Sequence, residues 1–315
     1  MSISVVIPVF NELESLPVLI DELKINLKDF DFWEIIFVDD GSSDGSTELL
    51  WDLCLSKPNY RLIQFHRNYG KSAALSEGFR VAKGDCVITM DADLQDDPSE
   101  IKNLVSKLNE GWDLVSGWKK TRLDPLNKRL PSKIFNFVLR LVTGVKIHDF
   151  NCGLKGYKKA VIKSIEIYGG RHRFIPALAG QKRFRVTEIV VNHRSRQFGE
   201  TKYGGSRFLH GFFDLITILF LNKFTQQPLH LFGSFGIIFF SAGFMVECFI
   251  LYYKYVLLEP FSRHMALLTF GVMLIVIGIQ FFSIGLLGEL MAKANHNNEN
   301  RIKYSKDDNQ LKNKD

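Results

Sequence analysis

Short apolar runs alternate with amphipathic stretches through the first 118 residues of the chain. The runs fall at 1–8, 34–38, 61–65, 86–90 and 114–116. Each reads as a strand buried on both faces. Between them apolar residues recur at three and four, as at Leu16, Leu19, Ile20, Leu23 and Leu27. That period predicts helices over 16–27, 46–55 and 72–81. Strand and helix in alternation make βαβ units, which build a parallel sheet covered on both faces. The expected fold is α/β, Rossmann-like, with a mostly parallel sheet.

Two later stretches lose this alternation. Residues 265–288 contain no charge and 231–253 contain one, Glu247. Either stretch spans about 35 Å as a helix, enough to cross a hydrocarbon core of about 30 Å. Both are apolar round the whole circumference, so we read a two-helix transmembrane hairpin rather than buried helices of a soluble core. A charged side chain is costly there. Glu247 is expected to pair with the second span, to snorkel, or to meet another copy in a homo-oligomer.

Two amphipathic stretches precede the hairpin. Over 132–143 the polar stripe is Ser132, Lys133, Asn136, Arg140 and Thr143; over 206–223 it is Arg207, His210, Asp214 and Thr217. A basic polar face over an apolar one suits a helix in the headgroup layer, although a core-packing helix fits 132–143 equally well. The predicted organisation is a globular domain over 1–205, with an interfacial helix at about 130–143. A juxtamembrane helix over 206–230, the hairpin over 231–290 and a polar tail over 291–315 follow.

Charge is segregated in the same way. The 315 residues carry a net +6 and the mean hydropathy is +0.01, but both are averages. Residues 1–118 hold 10 Lys and Arg against 21 Asp and Glu, and the remainder hold 30 against 13. Residues 119–146 and 171–207 each carry a net +7. The acidic front argues against nucleic acid as a partner, whereas basic residues beside a span attract anionic lipid at about 1 kcal/mol each. Cys54, Cys86, Cys152 and Cys248 have no metal or disulfide spacing and read as reduced thiols. No basic n-region opens the chain, so no cleavable signal is expected. Basic residues are densest before the first span and after the second, which predicts cytoplasmic termini.

Each predicted strand ends in a polar cluster. The clusters are Asn11-Glu12, then Asp39-Asp40-Gly41-Ser42-Ser43-Asp44-Gly45-Ser46, His66-Arg67-Asn68-Tyr69-Gly70-Lys71, and Asp91-Ala92-Asp93-Leu94-Gln95-Asp96-Asp97. In an open parallel sheet ligands bind outside the carboxyl ends of the strands, so four clusters on one edge describe one site. Asp91 and Asp93, two residues apart, offer two hard oxygen ligands, which suits Mg²⁺ or Mn²⁺ completed by water and phosphate oxygens. Asp39 and Asp40 can accept from ribose hydroxyls or a base N–H. Ser42 or Ser43 is expected to cap the next helix. Lys71 is expected to reach a diphosphate.

These segments resemble the inverting family 2 glycosyltransferases of GT-A fold. Further motifs narrow the resemblance to the polyprenyl-phosphate glycosyltransferases, the dolichol-phosphate mannose synthase-like group. They are Arg67-Asn68-Tyr69-Gly70-Lys71, Asp149-Phe150-Asn151-Cys152-Gly153-Leu154-Lys155, His172-Arg173-Phe174-Ile175-Pro176, and the run from His193 to Gly204. The resemblance implies that Pro8, Phe10, Glu12 and Asp39 line the nucleoside pocket. Asp40, Lys71, Asp91, Ala92 and Gln95 would complete the donor site. Asp91, Asp93 and Gln95 would serve the metal, and Asp149 would sit beside the sugar. Lys119, Lys120, Arg122, Arg129, Ser132 and Lys202 would hold the lipid phosphate. The chain departs from the family at Gly117-Trp118-Lys119, where Gly-Ser-Arg is common, and at Lys155, where Arg is common. A lysine is a point charge rather than a bidentate fork.

The expected activity is transfer of a sugar from a nucleotide sugar, UDP-linked in preference to GDP-linked, to a polyprenyl phosphate at the cytoplasmic leaflet. Asp93, Asp149 and Lys71 are the expected catalytic residues. Transfer to a glycolipid or polysaccharide ranks below, because no Gln-x-x-Arg-Trp motif is present. A catalytically dead membrane scaffold ranks lowest, because Lys71, Asp91, Asp93 and Asp149 are all in place.

Overall fold

A computed structural model describes residues 2–120, 126–167, 169–195 and 227–296. It divides into two compact units, residues 1–218 and 219–315.

The first unit is built on seven strands: β1 (Ser2–Val9), β2 (Phe32–Asp39), β3 (Tyr60–Gln64), β4 (Cys86–Thr89), β5 (Leu114–Trp118), β6 (Lys155–Lys158) and β7 (Val186–Val190). Their order is β3-β2-β1-β4-β6-β5-β7, and every pairing is parallel except those of β6. The antiparallel β6 runs its first residue, Lys155, beside Thr89 at the end of β4. The carboxyl ends of the parallel strands and the amino end of β6 therefore share one edge.

Strand alternation explains the layers. Ile3, Val5 and Ile7 of β1 join one core with Leu16, Leu19 and Leu23 of α1 (Leu16–Leu27), Leu50 of α2 (Ser46–Ser56) and Leu104 of α4 (Ile101–Asn109). Val6, on the other face, packs with Ala74 and Phe79 of α3 (Lys71–Val81), Val161 of α6 (Lys159–Ser164) and Ile175 of α7 (Ile175–Gln181). The predicted helix 16–27 is found to the residue. The predicted serine cap is not: Gly45 occupies the cap of α2, and Ser42 and Ser43 bond to Asn11 instead.

Helix α5 (Leu126–Thr143) covers the predicted interfacial stretch. Leu139 is buried in a third core with Phe150 and Phe174. Asn136, on the predicted polar stripe, is 6% exposed and its Oδ1 accepts the Phe150 N–H at 3.3 Å. That part of the stripe faces the domain because a buried backbone N–H needs an acceptor. Phe137 and Leu141, four apart, are instead exposed at 62% and 75%. The predicted juxtamembrane helix over 206–223 lies outside the described residues.

The second unit is a helical hairpin, α8 (Pro228–Tyr255) and α9 (Met265–His296), each long and apolar enough to cross a bilayer. Glycines let the backbones touch. A Cβ at Gly278 would fall 2.6 Å from Phe240 N and 2.8 Å from Gly236 O. Gly243 faces Gly271 O in the same way, and Glu247 turns its carboxylate onto Gly271. Small residues at such contacts replace the hydrophobic drive that lipid does not supply. Gly278→Val is expected to destabilise the purified protein by about 1–3 kcal/mol through overpacking. A lowered melting temperature in detergent, with the soluble-domain circular dichroism intact, checks this; an unchanged melting temperature refutes it.

Candidate active site

Backbone geometry brings the predicted clusters together. The loop after β1 and the loop after β2 are zipped: Asn11 N donates to Ser42 Oγ at 2.9 Å, Ser43 N to Asn11 Oδ1 at 2.8 Å, and Glu12 N to Ser46 Oγ at 3.0 Å. Asn11 holds a left-handed φ of 53° to make this possible, a conformation that Asn tolerates better than most residues. These bonds bring Glu12 against the loop that follows Asp39, and the parallel pairing of β1 with β2 sets Pro8 beside Val38 and Val9 beside Asp39. Asp39 is fully buried; its Oδ1 accepts Ser42 N at 3.0 Å and its Oδ2 the Thr47 hydroxyl.

Asp40 reaches the third loop. Its two oxygens accept the N–H groups of Tyr69 at 2.6 Å and Gly70 at 2.9 Å. Burial pushes this carboxyl up against the pull of those two bonds. The result fixes Gly70 directly before Lys71, the first residue of α3.

Lys71 forms an ion pair with Asp91 at the end of β4. Burial opposes ionisation of Asp91, but Lys71 overrides it, with Lys119 adding to the effect, and holds the carboxyl at about 2. Asp91 is therefore an anion at neutral pH. Ala92, the next residue, is buried, and Asp93 accepts Gln95 N at 3.2 Å. Leu94 between them carries a φ of 60°.

Asp149 and its neighbours enter this edge just before β6. Asp149 is 1% exposed, its carbonyl accepts the Ser116 hydroxyl at 3.1 Å, and its carboxylate accepts Asn151 N at 3.1 Å. Gly153 follows, with its carbonyl bonded by Thr89 Oγ1 at 2.8 Å. A Cβ on residue 153 would meet the Asp91 carboxylate at 2.6 Å, so this glycine is what lets the Asp149 loop approach Asp91. Gly153→Val is expected to reduce activity at least as far as truncating Lys71 does, with the fold retained; full activity in a product assay refutes the close approach.

Residues that the sequence reading left without a role complete the surroundings. His172 Nδ1 lies 2.9 Å from Ser72 Oγ. Burial first, then Lys71 and Arg173, drives this imidazole down to about 2, so it is neutral. The Lys155 ammonium donates to the Cys152 carbonyl, and burial lowers its pKa. A small polar cavity lies among Lys71, Thr89, Asn151, Lys155 and His172. No spacing rule singled out Ser72 or His172; their signal was the family motifs alone, Ser72 directly after Lys71 and His172 at the head of His172-Arg173-Phe174-Ile175-Pro176.

Four of the six residues expected to hold the lipid phosphate fall among the described residues. Lys119 pairs with buried Asp96 at 2.8 Å, and Lys120 is exposed with its ammonium 5.7 Å from the Trp118 ring centre. Arg129 and Ser132 fall within α5. Arg122 and Lys202 lie outside the described residues.

A mostly parallel sheet thus gathers carboxylates and a lysine on its carboxyl edge, where open α/β sheets bind ligands, and similarity to known proteins gives the family. The chain matches Glycosyl transferase family 2 over residues 4–166. It is 36% identical over 304 residues to an undecaprenyl-phosphate 4-deoxy-4-formamido-L-arabinose transferase of Salmonella choleraesuis (strain SC-B67), covering 96% of this chain and 91% of that protein. The same identity and coverage hold for the protein of that name from Salmonella newport (strain SL254). Its fold is similar to glucosyl-3-phosphoglycerate synthase from Mycobacterium tuberculosis in complex with Mn²⁺ and UDP-glucose. That likeness has a TM-score of 0.56 and 21% identity, over 70% of this chain and 78% of that one. The chain therefore belongs to glycosyl transferase family 2 and is an enzyme of GT-A fold. Within the family it groups with the polyprenyl-phosphate glycosyltransferases.

Proposed function

We propose that this protein transfers a sugar from a UDP-linked donor to a polyprenyl phosphate at the cytoplasmic leaflet, with inversion at the anomeric carbon and with both termini in the cytoplasm. The observation that carries the reading is the convergence of Lys71, Asp91, Asp93 and Asp149 on one sheet edge in a chain that also has an apolar hairpin. The relatives are named for an undecaprenyl-phosphate acceptor and a 4-deoxy-4-formamido-L-arabinose group, so that sugar heads the candidate donors.

The donor set fits a divalent cation. Among the described residues no three His, Cys, Asp or Glu side chains converge as a closed cage. Two carboxylates with substrate phosphates are what Mg²⁺ or Mn²⁺ accepts. Asp91 and Asp93 would hold the ion, with Gln95 beside them, and when bound it supplies charge neutralisation at the diphosphate. Pro8, Phe10 and Glu12 would line the nucleoside pocket, and the buried Asp39 and Asp40 would brace the loops around it. Lys71 meets the developing charge on the leaving diphosphate.

The acceptor needs no base. A phosphate monoester has a second pKa of about 6 and is largely dianionic at pH 7. Its oxygen attacks the anomeric carbon, the bond to the donor diphosphate breaks, and UDP leaves with that electron pair. Asp149 orients the sugar and stabilises positive charge at that carbon.

The test is a donor screen on the purified full chain with undecaprenyl phosphate, Mn²⁺ or Mg²⁺, and labelled UDP- and GDP-sugars. A lipid-linked product from a UDP-sugar, lost in EDTA, is the expected result. Transfer only to a glycolipid or polysaccharide overturns the acceptor, and no product from any donor overturns the activity.

A further inference from the structure

We propose that Lys119 is a positioning residue for the loop from Asp91 to Gln95, acting through its buried ion pair with Asp96, and not a ligand of the acceptor phosphate. The inference rests on the reading of Asp91 and Asp93 as the metal and diphosphate end of the site.

Lys119 directly follows β5, and Asp96 closes the loop that follows β4. Their side chains are 13% and 0% exposed, with 2.8 Å between ammonium and carboxylate. The other oxygen of Asp96 accepts the Asp91 N–H at 3.3 Å. One carboxylate thus ties the end of β5 to the backbone of a proposed metal ligand. A second tie comes from beyond β7: Asp96 bridges to His193 in antiparallel fashion, and Arg194 N donates to Gln95 O at 3.0 Å. The loop between these ties contains Leu94 at φ 60°. A non-glycine residue stays in that conformation only where its surroundings fix it.

Charge explains why the pair works as a fixed strut. Separating it strands one ion in the interior, which costs far more than the intact pair contributes. If Lys119 turned outward to a lipid phosphate, buried Asp96 would lose its counter-charge. Buried ion pairs add little to stability compared with apolar replacements, so the pair is retained here for the geometry it imposes. A lysine fits this task because it offers a compact point charge to one carboxylate.

The experiment compares Lys119→Met, Asp96→Asn and the double variant with the unaltered full chain in detergent. Mn²⁺ binding in the presence of UDP is read from the paramagnetic resonance of free Mn²⁺, and acceptor KM from product assays. Asp96→Asn keeps an acceptor for the Asp91 N–H, and the double variant leaves no buried charge, so it is the form that folds if a single variant does not. Each folded single variant is expected to bind Mn²⁺ about tenfold more weakly. The double variant should be no weaker than the worse single variant, and acceptor KM should stay within about twofold of the unaltered chain. If Lys119→Met raises acceptor KM with Mn²⁺ binding unchanged, the residue is a phosphate ligand and the inference is wrong. Retention of full Mn²⁺ binding by the double variant overturns it alone, whereas failure of the unaltered chain to bind Mn²⁺ with UDP overturns the metal reading and this inference together.

Discussion

Asp93→Asn is expected to lower turnover by about 10³-fold or more while the protein stays folded and membrane-bound. The size follows from losing one of two charged oxygens that would face a divalent ion and a departing diphosphate, where preorganised charge contributes most. The specificity follows from what the side chain does in the fold. Asp93 Oδ1 accepts the Gln95 N–H at 3.2 Å, and an asparagine oxygen can accept the same bond. The change therefore removes charge and leaves the turn. Asp91→Asn is a poorer probe, because it also strips Lys71 of its partner. The measurement is initial rate with labelled donor at saturating Mn²⁺, alongside melting temperature. Activity within about tenfold of the unaltered chain would sink the metal assignment, since a ligand in that position cannot be worth so little.

Much of this site was legible because its residues obey local rules. A strand that ends in carboxylates can be read from a run of apolar residues followed by Asp91-Ala92-Asp93, and the edge they share follows from parallel order alone. Helix periods placed α1 and, within a residue, α2 and α3. Two strands were not visible. β6 is only four residues long, Lys-Gly-Tyr-Lys, with lysine at both ends. Its burial comes from neighbours on either side that composition does not report. β7, Val-Thr-Glu-Ile-Val, is half-exposed at the sheet edge and carries a glutamate at its centre. Asn136 misled for a related reason: a polar residue on a helix reads as solvent-facing until the buried N–H it serves is known.

Lys119 has a neighbour that charge patterning does not reveal. A lysine in a basic segment beside a membrane is a natural phosphate ligand by composition. Its actual neighbour, Asp96, is 23 residues away across β6. The sheet order sets β6 between β4 and β5, and the ion pair joins the segments that follow those two strands across it. Glu247 is the converse case. Its presence in a span is plain from sequence, whereas its packing onto Gly271 depends on the glycine contacts between α8 and α9.

Asp149→Asn separates two chemical roles for the residue beside the sugar. If the acceptor phosphate is the nucleophile in its dianionic form, the acid limb of the kcat/KM profile belongs to the lipid phosphate. That limb should lie near a pH of about 6, the second ionisation of a phosphate monoester. Below it the acceptor carries a proton and attacks poorly; above it the rate is flat. Removing the Asp149 charge then lowers kcat, by about 10²-fold on the scale of one lost electrostatic contact, but leaves the limb in place. The variant is structurally mild, because the Asn151 N–H that the carboxylate accepts at 3.1 Å can be accepted by an amide oxygen, and the Ser116 bond goes to the main chain. A general base behaves differently. Its own ionisation would set the limb, so the variant would lose the limb together with the rate. Profiles of both proteins from pH 5 to 9, with the same polyprenyl phosphate and a fixed ion concentration, decide between the two. A limb that persists in Asp149→Asn assigns it to the acceptor and leaves Asp149 the task of holding the sugar as the anomeric carbon gains charge.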